Sequence, residues 1–166
     1  LSNESGKATF HSKGDAAGIN SLSSASGPCP ETIAVETLDE FLQRANIEPV
    51  AMIKIDTEGF DSLVLQGAEA CLAPGAVEVV QFEYNWRWLL NKASLLDVFK
   101  LIEDKPYRFG KLVGNSIEFY EDWHFELDRY FENNYVLVRS DSVLEHLGQV
   151  VRFDASNTAI SANRGH

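Results

Sequence analysis

Cysteine is scarce in this chain: Cys29 and Cys71 are the only two, with no CxxC pair and no Cys/His cluster. Their scarcity argues against a structural zinc site or a disulfide framework, leaves room for one disulfide at most, and points to a reduced, cytoplasmic setting. Basic residues are few as well. The 14 Lys and Arg are outnumbered by 25 Asp and Glu, for a net charge of −11. Such a surface repels phosphate backbones, which argues against a nucleic-acid partner. Long apolar runs are missing. No stretch approaches the length of a membrane span, so no membrane partner is expected. The start, Leu1 to Gly6, has neither the basic end nor the apolar centre of a signal peptide. It also has no initiator methionine, so Leu1 reads as an internal position of a fragment or trimmed chain. No GxSxG nucleophile elbow is present, and His11, His124, His146 and His166 show no metal-ligand spacing. No metal is expected.

What is present suits a globular domain. Of the 166 residues, 45% are hydrophobic and 11% aromatic, enough for one core. The domain is expected over 1–153, with a small, polar and frayed tail at 154–166. Lys7 to His11 predicts a short strand, residues 12–31 a long Ser/Gly-rich loop, and Ile33 to Glu36 another short strand. Thr37-Leu38-Asp39-Glu40 fits a capping box, with Leu38, Phe41, Leu42 and Ala45 along one helical face and Asn46 as the stop. Val50 to Ile55 is apolar except for Lys54, the pattern of a parallel strand covered on both faces. A helix is expected from about Phe60 to Leu72 and a strand from Val77 to Phe82, completing a βαβ unit. Ser94 can cap a further helix, and Tyr107 to Val113 and Tyr135 to Arg139 read as later strands.

The acids at the strand ends carry the chemistry. Val50 to Ile55 runs into Asp56, Glu58, Gly59 and Asp61. In open α/β sheets ligands bind outside the carboxyl ends of the strands. There Asp56 and Glu58 can take a proton from a hydroxyl, hold a divalent cation or fix a substrate group. The plainer reading is that Glu58 and Asp61 only dress a helix N-terminus. Asp56 is least explained that way. Glu83 and Asn85 end the next strand and would share its edge; the plainer reading is a solvated turn. Trp86 and Trp88 flank Arg87, as a pocket wall by stacking or, more often, as a packed lid. Asn20 sits in a Gly/Ser-rich loop able to fold over a site.

Taken in order, the segments Leu1–Gly6, Asn20–Leu22, Val35–Asp39, Ile53–Asp61, Leu65–Ala68 and Phe82–Glu83 resemble the FkbM family of S-adenosylmethionine-dependent methyltransferases. The most specific piece is Ile53 to Ala68, and the resemblance runs over roughly residues 1–85. It implies an α/β fold of the Rossmann-like class I methyltransferase type, a mostly parallel sheet with an antiparallel last strand. It implies S-adenosylmethionine as cofactor and a small-molecule acceptor, usually methylated on an oxygen of a sugar or similar metabolite. Asp56 would lie beside the methyl group and, with Glu58, form the catalytic pair. Glu83, Asn20 and Asn85 would face the acceptor, and Leu1 and Ser2 would lie near the adenine.

One departure from the family pattern stands out. No G-x-G-type turn opening a helix precedes Asp56. The chain therefore reads as the C-terminal part of the domain, without the N-terminal half of the sheet. On this reading the edge of the Val50–Ile55 strand is exposed. Two other readings stay open: a non-catalytic α/β half-domain or interaction module, and a metal-dependent hydrolase using Asp56, Glu58 and Glu83.

Overall fold

The computed structural model describes residues 1–12, 29–47, 49–73 and 76–162. Two antiparallel strands, β1 (Gly6–Ser12) and β2 (Cys29–Val35), form a ribbon of their own. The second strand begins inside the stretch read as loop. Asn20 and the rest of 13–28 lie outside the described residues.

Helix α1 (Leu38–Ala45) starts as its residues dictate. Thr37 Oγ1 accepts from the Glu40 N–H at 3.1 Å, and the Glu40 carboxylate accepts from the Thr37 N–H at 3.4 Å. This reciprocal pairing satisfies two donors that the first turn leaves free. Asn46 ends the helix in the left-handed conformation, with φ of 53°.

Strand β3 (Val50–Ile55), helix α2 (Asp61–Gln66) and strand β4 (Val77–Tyr84) form the expected βαβ unit, with β3 and β4 parallel and Ile55 opposite Phe82. Two details differ from the sequence reading. First, β3 lies at the sheet edge, as expected, but is not covered on both faces: Ala51, Met52 and Lys54 are exposed. Second, α2 ends at Gln66 rather than Leu72. The N–H groups of Ala70 and Cys71 donate to the Asp39 carboxylate, at 2.8 and 2.7 Å, instead of continuing the helix. Just before them, Gly67 packs on the backbone of Ser2, where a Cβ would overlap the Ser2 carbonyl oxygen. Because that neighbour is backbone, Gly67→Ala is expected to cost about 1–3 kcal/mol, the usual cost of overpacking. Thermal or urea unfolding checks this.

The chain continues through a 3₁₀ turn (Trp86–Asn91), α3 (Leu95–Ile102), β5 (Tyr107–Val113), β6 (Ser116–Tyr120), β7 (Asn133–Arg139), β8 (Gly148–Phe153) and β9 (Ala159–Ser161). The main sheet has the order β3-β4-β7-β5-β6-β8-β9. It corrects the expected mostly parallel sheet, because only β3–β4 and β6–β8 pair parallel; the other four pairings are antiparallel. The cause lies in the connections. Helical crossovers make β3, β4 and β5 run the same way, but β7 inserts between β4 and β5 in the opposite sense, and β6 folds back on β5 through a two-residue hairpin. Strands β6, β8 and β9 were not foreseen. Within the polar tail, β9 pairs with β8.

Most of the core lies on one face, where Phe82, Tyr84, Phe109 and Leu137 meet Leu65, Trp88 and Leu95. A smaller cluster of Val79, Ile117, Phe119, Val136 and Val138 forms a second core. Among the described residues no helix is long and apolar enough to cross a membrane.

Candidate functional site

The carboxyl ends of β3 and β4 meet at one edge, and a buried carboxylate joins them. Asp61, the first residue of α2, is fully buried. Its Oδ2 accepts from Thr57 Oγ1 at 3.1 Å and the Gly59 N–H at 3.3 Å, and its Oδ1 accepts from the Glu83 N–H at 3.3 Å. Burial raises the proton affinity of Asp61 by more than these donors lower it. A residue read as helix dressing is thus the link between the Asp56 turn and Glu83.

The turn itself is tight. Glu58 and Gly59 take positive φ in succession, 56° and 97°, and for the non-glycine Glu58 that is a sparsely populated conformation. A Cβ on Gly59 would overlap Arg87 Cβ. Arg87 Nη1 lies 3.3 Å from Glu58 Oε2, and Asn91 Nδ2 donates to the Gly59 carbonyl at 2.8 Å. The 3₁₀ turn therefore straps the acidic loop at both of its ends.

Asp56 stands at the rim. It is half exposed and accepts from Lys54 Nζ at 2.6 Å. The hydrogen bond and charge of Asp56 hold the Lys54 ammonium well protonated. Glu83 is better enclosed. Its Oε2 accepts from Asn85 Nδ2 at 2.9 Å, and Asn85, itself fully buried, accepts from the Arg87 N–H at 2.9 Å. Partial burial pushes the Glu83 carboxyl above its ordinary range, helped by the charges of Glu132, Asp56, Asp61 and Glu58. Glu132 was missed in the sequence. It precedes β7, whose Asn134 pairs with Glu83, and starting that strand at Asn133 rather than Tyr135 would have placed it.

The two tryptophans divide. Trp88 is fully buried and donates to the Glu83 carbonyl at 3.1 Å, so it is core. Trp86 is 55% exposed, with the Arg87 guanidinium 5.3 Å from its ring centre.

Asp56, Glu58, Glu83 and Asn85 thus share one edge. Leu1 and Ser2 do not join it. They lie by Gly67, at the far end of α2, which its six residues make about 9 Å long. Leu1 is exposed; Ser2 is buried, and its hydroxyl donates to Asn3 Oδ1 at 3.2 Å. Asn20 lies outside the described residues. Among the described residues, no group of three or more His, Cys, Asp or Glu is placed to hold a metal ion. A cavity of about 610 Å³, lined by residues including Phe99, Tyr107, Tyr120 and Trp123, opens at the start of β5 and the end of β6, the opposite edge of the sheet.

A family model described as Methyltransferase FkbM domain matches residues 1–109, which include every residue of the acidic edge except Glu132. No curated protein and no solved structure matches the chain.

Proposed function

The chain belongs to the FkbM methyltransferase family, whose activity is S-adenosylmethionine-dependent methyl transfer, and from that premise we propose that the acidic edge receives a hydroxyl-bearing small molecule for methylation on oxygen. The observation that carries this reading is Asp61. One buried carboxylate holds the ends of β3 and β4 together, so that Asp56 and Glu83 face the same space. Proximity of this kind is a large part of what such a transfer requires.

The roles follow from the surroundings of each group. Glu83, oriented by Asn85 and raised in proton affinity, is suited to take the hydroxyl proton. Asp56, at the open rim, accepts a hydrogen bond from the acceptor and holds it in line. Glu58 is paired with Arg87 and keeps the turn closed rather than meeting the acceptor. S-adenosylmethionine, when bound, supplies the electrophilic methyl group on a sulfonium. The negative edge suits that positive charge, and exposed Leu1 offers an apolar wall to the adenine. Ser2 fits less well, since its hydroxyl is engaged by Asn3.

Calorimetry with S-adenosylmethionine tests the cofactor. No heat of binding would favour a non-catalytic module. Asp56→Asn in the full protein is expected to lower turnover about tenfold, through lost positioning of the acceptor, with cofactor affinity kept. Transfer of tritiated methyl from the cofactor measures it, and unchanged turnover would remove Asp56 from the site.

A further inference from the structure

We propose that the cavity of about 610 Å³ at the edge opposite the acids is a second ligand site, and that it takes an organic cation: an ammonium group on an apolar body. The starting observation is that α3 carries more apolar surface than the core uses. Leu95, Val98 and Ile102 are buried in the core. Leu96, Phe99, Lys100 and Glu103 fall at i, i+3, i+4 and i+7 along a neighbouring face and line the cavity. Apolar groups on a second helical face call for something to cover them. The facing wall comes from Tyr107 of β5, Tyr120 of β6 and Trp123 in the turn that follows. The volume falls in the range of small-molecule pockets, about 300–1,000 Å³.

The walls are fixed to one another. Asp128 Oδ1 accepts from the N–H of Leu95, the first residue of α3, at 2.7 Å, and its Oδ2 accepts from Trp123 Nε1 at 2.6 Å. One carboxylate thus pins the helix wall to the tryptophan wall. Phe99 rests on Phe109, with ring centres 4.5 Å apart. The polar atoms of the aromatic wall are engaged elsewhere: the Tyr107 hydroxyl donates to the Val77 carbonyl at 2.6 Å, and the Tyr120 hydroxyl to Glu118 at 2.9 Å. With the Trp123 N–H on Asp128, what these residues present to the cavity is ring carbon. A wall held in this way needs little further ordering when a ligand enters.

The charges on the lining select the ligand. Glu103, Glu121 and Asp122 are exposed on it. Of its three cations, Arg108 carries its guanidinium over the Phe119 ring of the second core, 4.2 Å from the ring centre, and within 3.7 Å of Glu145. Lys105 Nζ donates to the Leu101 carbonyl at 2.7 Å. Lys100 stands exposed on α3. The carboxylates therefore outweigh the ammonium that faces them. Aromatic faces attract cations through the ring quadrupole, tryptophan most strongly, and the carboxylates attract the same sign of charge. An anion is repelled by both. A neutral apolar molecule fills the volume without using the carboxylates. An ammonium on an apolar body uses the ring faces and the acids together.

Calorimetry on the full chain with benzyltrimethylammonium as the probe tests the site. Saturable binding is expected, with benzoate, of similar size and opposite charge, giving none. Choline is expected to bind about fivefold or more tightly than its neutral isostere 3,3-dimethylbutanol, the contribution of the charge over the rings. Trp123→Ala is expected to weaken the probe about tenfold. Because Trp123 also donates to Asp128, that variant can lose its fold. The double change Glu121→Gln with Asp122→Asn, at two exposed positions, keeps the question open to test and is expected to weaken binding several-fold with the thermal melt unchanged. The acidic edge is the competing place for a cation, so Glu83→Gln serves as the control and is expected to leave the affinity as it was. Four results would each overturn the proposal: no saturable binding of benzyltrimethylammonium, equal binding of benzoate or of the neutral isostere, unchanged affinity in the folded double variant, or a loss of affinity in Glu83→Gln instead. The outcome is independent of methyl transfer, since none of these measurements uses the cofactor.

Discussion

Asp61→Ala is expected to be among the most damaging single changes in the chain, lowering stability by about 3–5 kcal/mol and turnover with it. The substitution removes a buried carboxylate that serves three donors: Thr57 Oγ1, the Gly59 N–H and the Glu83 N–H. A buried donor left without a partner costs about 1–3 kcal/mol, and Gly59 is buried. For a chain of this size each kcal/mol corresponds to roughly 2–4 °C in melting temperature. Asp61→Asn separates positioning from folding. An amide presents one oxygen and one NH₂, so it can serve the Thr57–Gly59 side or Glu83, but not both. Whichever way it turns, a donor faces a donor. Asp61→Asn is therefore expected to fold with a smaller loss while the Asp56 turn and the end of β4 come apart. A thermal melt together with methyl transfer and cofactor binding reads both effects. A folded Asp61→Asn chain with unaltered turnover would show that the link does not position the site.

What the sequence made legible was local. The Thr37–Glu40 box and the Asn46 stop rest on neighbours within a few residues and were placed correctly; the β3–α2–β4 unit was recognised as well, though α2 stops at Gln66, short of the expected Leu72. What it hid was non-local. Nothing in Tyr135 to Arg139 says that β7 will insert antiparallel between β4 and β5, because both its partners lie far off in sequence and its apolar run suits either direction. Strand β6 did carry a signal: Ile117 and Phe119 alternate with Glu118, but the surrounding aromatics masked it. At the site, spacing could say that several acids follow β3. It could not say which of them turns inward. Asp56 seemed the least explained member, yet the fold sends it to the rim beside Lys54 and buries Asp61, since Gly59 reverses the chain between them. The roles of Arg87 and Glu132 depend on tertiary neighbours and had no local signature.

Glu83→Gln is expected to lower methyl transfer about 10²-fold, the low end of what a positioned general base contributes, while leaving cofactor binding in place. The amide is isosteric and can still accept from Asn85 Nδ2, so the loss reports the missing proton acceptor rather than a collapsed edge. The pH dependence gives a sharper test. A base must be unprotonated to act, so kcat/KM rises with pH through the Glu83 pKa, which partial burial and the nearby charges of Glu132, Asp56, Asp61 and Glu58 have raised. Lys54 is the cation on the opposing side and works against that rise. Glu132→Gln removes the strongest of the repelling charges, so the acid limb is expected to move to lower pH. Lys54→Met is expected to move it to higher pH. Stability runs the other way. A carboxyl whose folded pKa lies above its unfolded value binds an extra proton in the native state between the two values, and the stability this provides below the unfolded pKa is lost as pH rises through the folded one. Glu83→Gln should therefore remove both the acid limb of the rate profile and that fall in stability. An acid limb unmoved by Glu132→Gln and retained in Glu83→Gln would assign the proton transfer to another group.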